Sequence, residues 1–129
     1  MASTEQIREA IDAYVARFSA GDAAAWATCF AEDGTHEDPV GTPVNVGRPA
    51  IQAFYENTAA MMGGLAIERL SEPIVIGNEA VAVFTATAGS GEGRVRMPQI
   101  VDHMTFDDDA QITALRAFWT MDTVVPDPE

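Results

Sequence analysis

The apolar residues of this chain change their spacing once, and that change restricts the fold more than any other feature of the sequence. Up to about residue 62, apolar side chains recur at the spacing of amphipathic helices. From Leu65 onward, short segments alternate apolar and polar residues between Gly, Asn and Asp turns, which is typical of β-strands. Helices first and antiparallel strands afterwards predict an α+β fold, in which the helices pack against one curved sheet.

Capping and turn signals divide the chain into elements. Ser3 and Gln6 have the spacing of a capping box, which places the start of a helix at Thr4. The sequence predicts helices over residues 4–19, 23–30 and 49–62, a turn over 32–34, and strands over 65–70, 73–77, 80–88, 94–97, 99–106 and 111–120. We expect one domain over residues 1–129, of which 121–129 form a loose acidic tail.

Composition and charge exclude several classes of function. The 129-residue chain has a formal net charge of −13, which opposes binding to nucleic acids and to anionic membranes, because both are polyanions. It contains no lysine, so a Schiff base on a side-chain amine is excluded. Cys29 is the single cysteine, and no signal-peptide pattern is present, so we expect a cytoplasmic protein. His36 and His103 lack a third ligand at metal-binding spacing, so no metal is expected.

One acid lies where an acid is energetically unfavourable. If residues 99–106 form a strand, Asp102 shares a face with three apolar residues, while His103 faces the opposite way. An acid on an apolar face is usually paired with a cation or protonated, and a protonated carboxyl can donate a hydrogen bond to a developing oxyanion. From this strand alone, an ion pair with an arginine or a position at the rim of the sheet remains the simpler explanation.

Two further polar residues occupy informative positions. Tyr14 lies on the apolar stripe of the first helix, so its hydroxyl needs a buried partner, and a backbone carbonyl is the simplest one. Asp38 ends an extended segment, directly before Pro39 and below a loop over residues 41–47 that contains glycine and proline. A carboxylate there is well placed to face a cavity, although Asp before Pro is also a common way to begin a turn.

The order of elements resembles the cone-shaped fold shared by nuclear transport factor two, scytalone dehydratase, the polyketide cyclases and the bacterial steroid delta-isomerases. Within that superfamily, four short motifs at near-family spacing resemble ketosteroid isomerase. They are Ala13-Tyr14-Val15-Ala16 with Gly21-Asp22, Glu37-Asp38-Pro39-Val40-Gly41, Ala50-Ile51 with Phe54-Tyr55, and Asp102-His103. The similarity runs from about Ser3 to Trp119.

The resemblance implies a role for each matching residue. Tyr14 would be the phenolic donor of an oxyanion hole, Asp102 the protonated second donor, and Asp38 the base that moves the proton. Tyr55 matches a tyrosine that hydrogen-bonds the catalytic one, and Trp119 matches an aromatic wall beside the base. The implied reaction is the isomerisation of a 3-oxo-Δ5-steroid to its Δ4 isomer through a dienolate, without metal or cofactor.

A flat, uncharged steroid needs an apolar pocket, and several large side chains are candidates for its walls. Those candidates are Phe54, Met61, Met62, Met97, Met104, Phe118 and Trp119, with Tyr55 beside them. The same residues would serve equally well as plain core.

The sequence leaves three alternatives to an isomerase open. The chain could be a polyketide cyclase, an epoxide hydrolase with Arg116 between two aspartates, or a non-catalytic module that binds apolar ligands. We also expect a homodimer, because the family implies one and because residues 111–120 carry apolar side chains on both faces of their strand.

Overall fold

A computed structural model describes residues 1–129, in which three helices pack on one mixed sheet of eight strands. The helices are α1 (Thr4–Ser19), α2 (Ala23–Ala27) and α3 (Arg48–Met62). The strands are β1 (Phe30–Glu37), β2 (Asn45–Val46), β3 (Leu65–Arg69), β4 (Ile74–Ile76), β5 (Glu79–Ala88), β6 (Val95–Phe106), β7 (Ile112–Phe118) and β8 (Val125–Pro126). No helix combines the length and the apolar character that a membrane crossing requires.

The sheet has the strand order β2-β1-β7-β6-β5-β3, with β4 added beside β5 and β8 beside β6. The β1–β7 pair is parallel and the other pairs are antiparallel. This arrangement confirms the prediction of an α+β, cone-like fold with three N-terminal helices on a mainly antiparallel mixed sheet. It also places β6 and β7, which carry the apolar and aromatic segments, in the middle of the sheet.

The predicted capping box is present at the start of α1. The Ser3 hydroxyl accepts a hydrogen bond from the Gln6 amide at 3.1 Å, and the Gln6 side chain accepts one from the Ser3 amide at 2.8 Å. Two backbone N–H groups that the helix leaves free are thereby satisfied. The cap fixes where α1 begins, so Ile7, Ile11 and Tyr14 fall on its buried side.

The predicted turn over residues 32–34 was wrong, because these residues belong to β1. Phe30 lies opposite Ile112 and Thr35 opposite Ala114, so the four residues of β1 between these pairs face only one residue of β7. The extra residues form an irregularity in the strand instead of reversing the chain. Gly34 fits there because a Cβ would lie 2.8 Å from the Ile112 carbonyl oxygen. The second helix therefore ends at Ala27 rather than at Phe30.

The prediction of two strands over 94–97 and 99–106 was also wrong, because they form the single strand β6. Phe84 of β5 lies opposite Ile100, and Ala86 lies opposite Met97, so β6 carries one extra residue between these pairs. Pro98 occupies that interruption, where its lack of an N–H does not remove a regular ladder hydrogen bond.

The predicted loose tail is instead folded against the sheet. Met121–Thr123 form a turn of 3-10 helix, and β8 pairs with the beginning of β6. The Asp127 carboxylate lies 3.1 Å from the Arg94 guanidinium and 3.0 Å from that of Arg96. These arginines neutralise the acidic end of the chain and hold it in place, a pairing that the composition of the tail alone does not reveal.

The inner face of β5 is almost free of large side chains. Residues 80, 82, 86 and 88 are buried alanines, and Phe84 is the one large residue among them. Ala80 and Ala82 pack in the core, whereas the methyl groups of Ala86 and Ala88 leave space between the sheet and the helices, where a cavity remains. Elsewhere on the strands Val46, Ile74 and Ile76 are exposed. A homodimer that covers the outer side of the sheet stays a prediction.

Candidate active site

A cavity of about 210 Å³ lies between the helices and the inner face of the sheet, and 16 of its 20 lining residues are hydrophobic. The four exceptions are Asp38, Asp102, Thr58 and Thr87. Such a pocket, apolar with a few convergent polar groups, is typical of small-molecule sites.

The structure brings most of the predicted site residues to this one cavity. Residues proposed for chemistry or binding that line it are Tyr14, Asp38, Phe54, Tyr55, Met62, Met97, Asp102 and Trp119. Their shared location is what the sequence predicted, while their roles in a reaction stay predictions.

Three of the candidate wall residues do not line the cavity, so the prediction for them was wrong. Met104 faces inward but is fully buried in the core. Phe118 faces outward, is 46% exposed, and lies beneath the Arg116 guanidinium at 5.5 Å from its ring centre. Met61 is exposed on α3. Neighbouring residues of a strand face opposite sides, so the inward position of Ala117 sends Phe118 outward.

Asp102 lies near the middle of β6, between Ala82 on β5 and Ala117 on β7. Its side chain is 3% exposed, and its buried Oδ1 has no hydrogen-bond partner in the protein. Burial raises the pKa of Asp102 well above its usual value, and the Asp38 carboxyl raises it further. The ion-pair and rim explanations are therefore excluded, and the surroundings favour a protonated acid.

Asp38 follows the end of β1 and has a different environment. The indole N–H of Trp119 donates to its Oδ1 at 2.6 Å, and the side chain is 27% exposed. Burial raises the pKa of Asp38, and the Trp119 hydrogen bond opposes this rise because it favours the charged form. Behind the carboxyl, the Val40 amide donates to the Ala117 carbonyl at 2.8 Å and ties the loop to β7.

Tyr14 is held on α1 by a cluster of aromatic rings. Its ring stacks on Phe84 at a centroid distance of 6.1 Å and lies 5.8 Å from Trp26. Burial raises the pKa of Tyr14 well above its usual value, and the carboxyls of Asp102 and Asp38 raise it further. The phenol is therefore kept protonated, and it faces the same cavity as both acids.

The predicted hydrogen bond between Tyr55 and Tyr14 was wrong. The Tyr55 hydroxyl donates to the Phe18 carbonyl. Phe18 belongs to the last turn of α1, and its carbonyl also accepts from the Gly21 amide at 3.2 Å. Tyr55 therefore ties α3 to the end of α1, while its ring still lines the cavity.

Sequence reasoning missed two kinds of residue at this site. Met121 and Val124 line the cavity but belong to the predicted tail, and no local pattern indicated that they fold back. His36 lies 3.7 Å from Asp38, and its position two residues before Asp38 on a strand was a signal, because such residues share a face. No three His, Cys, Asp or Glu side chains are grouped so that they could hold a metal ion.

Comparison with known families shows which protein family the chain belongs to. Residues 11–115 match the model of the SnoaL-like domain. The chain belongs to the SnoaL-like domain family. This SnoaL-like chain is 34% identical over 123 residues to the steroid Delta-isomerase of Nocardioides simplex, and the match covers 95% of this chain and 97% of the relative. That similarity confirms the resemblance that the four motifs indicated.

A solved structure is also similar to this SnoaL-like chain. It is that of SalBIII, described as an epoxide hydrolase/cyclase-like enzyme in pyran ring formation in the polyether salinomycin. The two chains superpose with a TM-score of 0.86 at 25% identity, over 98% of this chain and 99% of the other. The relatives are thus enzymes of more than one kind, and the chemistry of this member has to be argued from its own cavity.

Proposed function

We propose that this SnoaL-like protein is a steroid delta-isomerase, which converts 3-oxo-Δ5-steroids to their Δ4 isomers. The observation that carries the proposal is the pair of carboxyls in one apolar cavity, one with an N–H donor and one without. The environment of Asp38 suits an ionised base, and that of Asp102 suits a neutral hydrogen-bond donor. Enolisation of a ketone requires both.

In the proposed mechanism Asp38 removes a proton from the carbon between the ketone and the alkene. The electron pair of that C–H bond moves into the conjugated system, and a dienolate forms with its negative charge on the ketone oxygen. Asp38 then returns the same proton to the far end of the former alkene, two carbons away. The double bond ends in conjugation with the ketone, and Asp38 is again ionised.

Tyr14 and Asp102 are proposed to donate hydrogen bonds to the dienolate oxygen. Both lie in the cavity, and burial raises the pKa of each, so each keeps its proton. Donors that are fixed before the reaction stabilise the developing charge without reorganising. A base as weak as a carboxylate then suffices, because the intermediate that it generates is stabilised.

The walls of the cavity and the named relative support a steroid as substrate. A rigid, neutral ring system gains from the apolar lining and from the removal of water around the two acids. The relative from Nocardioides simplex is named a steroid Delta-isomerase. The ligand proposed for this chain is therefore a small apolar 3-ketosteroid.

The test is the absorbance change that accompanies conjugation, measured with a 3-oxo-Δ5-steroid and purified protein. We expect rapid appearance of the conjugated enone and, in D₂O, substantial retention of the substrate's own hydrogen, because one carboxyl carries the proton between both carbons. Asp109→Asn is the matched control for a variant in which Asp38 is made neutral, since Asp109 is an exposed acid of the turn between β6 and β7. Failure of the wild type to accelerate the reaction would refute the proposed function.

An epoxide hydrolase or cyclase is the second candidate, because SalBIII shares the fold. The hydrolase predicted from sequence needs an arginine between two aspartates, yet no arginine lines the cavity. Arg116 instead lies 3.0 Å from the Glu37 carboxylate, near the surface. Opening or cyclisation of an epoxide substrate, without steroid isomerisation, would favour this candidate. A pure binding pocket would gain nothing from an ionised Asp38.

A further inference from the structure

His36 is a fully buried histidine that the proposed mechanism does not use. Its side chain is 1% exposed and is surrounded by the rings of Trp26, Phe30 and Phe54, at centroid distances of 5.4, 5.7 and 4.8 Å. It does not line the cavity. A buried imidazole among aromatic rings would ordinarily be replaced by an apolar side chain, unless its nitrogens are needed.

One ring nitrogen of His36 is fixed by a neighbouring strand. His36 on β1 lies directly opposite Asn45 on β2, and the Asn45 side-chain nitrogen is 3.2 Å from Nδ1. An amide NH₂ group can only donate, so Nδ1 accepts. The proton of a neutral imidazole must then reside on Nε2.

The other ring nitrogen faces Asp38. Nε2 has no hydrogen-bond partner and lies 3.7 Å from Asp38 Oδ2, whereas Asp38 Oδ1 accepts from Trp119. A direct N–H···O hydrogen bond spans about 2.7–3.2 Å, so a small movement of the carboxylate closes this gap. Asp38 therefore lies between two N–H groups, one bound and one within short reach.

The imidazole acts in this position as a neutral dipole. Burial lowers the pKa of His36 to about 4, because the charged ring would lose its hydration. An imidazolium beside Asp38 would depress the basicity of the carboxylate strongly. A neutral N–H orients the carboxylate with a smaller effect on its proton affinity.

We propose that His36, with its tautomer set by Asn45, is a positioning residue that donates its Nε2–H to Oδ2 of ionised Asp38. This inference rests on the proposed role of Asp38 as the base. The base must serve two carbons of the substrate, and Trp119 and His36 hold its two oxygens from opposite sides while it moves. The other titratable groups that face Asp38 are Tyr14 from α1 and Asp102 from β6.

The test compares His36→Val with His36→Gln. Valine removes both nitrogens, whereas the glutamine amide offers an N–H near the position of Nε2. For His36→Val we expect kcat to fall about tenfold, the typical effect of losing a hydrogen bond to a charged group, with KM changed less than about twofold. The acid limb of kcat/KM should move to higher pH, because a donor that favours the charged form is lost. His36→Gln should recover most of both effects.

His103→Gln is the matched control, because His103 lies on the opposite face of the sheet and contacts Glu79 at 2.8 Å. It should leave the rate and the pH profile unchanged. A wild-type acid limb in His36→Val would overturn the inference, and so would equal losses in the Val and Gln variants, since His36 would then contribute only packing.

NMR separates this inference from the proposed function. Imidazole ¹⁵N shifts should show His36 protonated on Nε2, and the Asp38 carboxyl should titrate at higher pH in His36→Val than in wild type. If both results hold while no steroid is isomerised, the proposed function fails and the pairing of His36 with Asp38 stands. Protonation on Nδ1 instead, or an unchanged Asp38 titration, would overturn the pairing.

Discussion

Asp38 and Asp102 are the same side chain in the same cavity, yet the backbone around them differs. Asp102 lies within a strand that is paired on both sides, so the backbone N–H groups near it are engaged with β5 and β7. Asp38 lies just beyond the end of β1, where the indole of Trp119 can approach its carboxyl. The strand interior therefore leaves Oδ1 of Asp102 without a donor, whereas the strand end allows Trp119 to donate to Asp38.

That difference explains how one fold can hold two carboxyls in two protonation states. Both acids are partly or wholly removed from water, and burial raises the pKa of both. A hydrogen bond from Trp119 opposes the rise of the pKa at Asp38. At Asp102 the Tyr14 hydroxyl also opposes the rise, but burial is the largest cause, the Asp38 carboxyl adds to it, and Oδ1 has no partner. Position along a strand, rather than residue type, separates the proposed base from the proposed donor.

The largest effect is expected when the proposed base is made neutral. Asp38→Asn should leave the fold and steroid binding nearly intact and lower kcat by the ~10²–10⁴-fold typical of a general base, or more. Circular dichroism and steady-state assays on one steroid measure this. Retention of more than about a tenth of the activity would show that Asp38 is not the base.

The next largest effect on kcat is expected when Tyr14, a proposed donor to the dienolate oxygen, loses its hydroxyl. Tyr14→Phe removes only the hydroxyl and keeps the ring that stacks on Phe84. We expect kcat to fall by about 10²–10³-fold, as for the loss of one oxyanion donor, with a small change in KM. A normal kcat would show that Tyr14 contributes only to packing in the aromatic core.

The third prediction compares two variants of Asp102 and tests its protonation state directly. Asn still offers an N–H to an oxyanion, whereas Leu fills the space and donates nothing. We expect kcat at neutral pH to follow wild type > Asp102→Asn > Asp102→Leu, with the Leu variant about 10²-fold below wild type. Equal losses in both variants would indicate that Asp102 acts as an ion, and the contrast with Asp38 would disappear.

The smallest effect concerns stability and its dependence on pH. The folded-state pKa of Asp102 lies well above its ordinary value of 3.8, so the folded protein binds this proton more tightly than the unfolded chain. Its stabilising contribution is complete below the ordinary pKa and is lost as pH rises toward the folded-state pKa. The free energy of unfolding should therefore fall with pH more steeply in wild type than in Asp102→Asn, by at most about 1.4 kcal/mol per pH unit.

Urea unfolding of both proteins at about pH 5 and about pH 8 measures this difference. Titrating groups away from the cavity are common to the two proteins and do not interact with residue 102, so their contributions cancel to first order. Parallel curves would mean that Asp102 is already ionised in the folded protein.

Periodicity predicted the fold and the apolar faces that carry Tyr14 and Asp102, because it assigns side chains to faces. The approach of Tyr14, Asp38 and Asp102 to one site was predicted from the resemblance to ketosteroid isomerase. The sequence predicted both Phe118 and Trp119 as wall residues, although adjacent residues of a regular strand cannot share a face. Trp119 lies beyond the end of β7, where that alternation no longer applies, and this end point depends on strand pairing.

Long-range partners were the part that periodicity could not supply. The contact of His36 with Asn45 depends on the return of β2 beside β1, and β2 has only two residues. A strand that short has no pattern of its own. The folding of the C-terminal residues depends in the same way on Arg94 and Arg96, which lie about 30 residues earlier in the chain.

The alanine-rich face of β5 has a consequence for how such proteins diversify. On β5 the free space of the cavity is bordered by the methyl groups of Ala86 and Ala88, whereas the acids and the phenol are carried by other elements. The residues that limit the size of the bound ligand are therefore different from the residues proposed to carry out the reaction. A descendant lineage could accept bulkier or slimmer guests through single replacements on β5, each with a local packing penalty, and still inherit its proton-transfer groups unaltered.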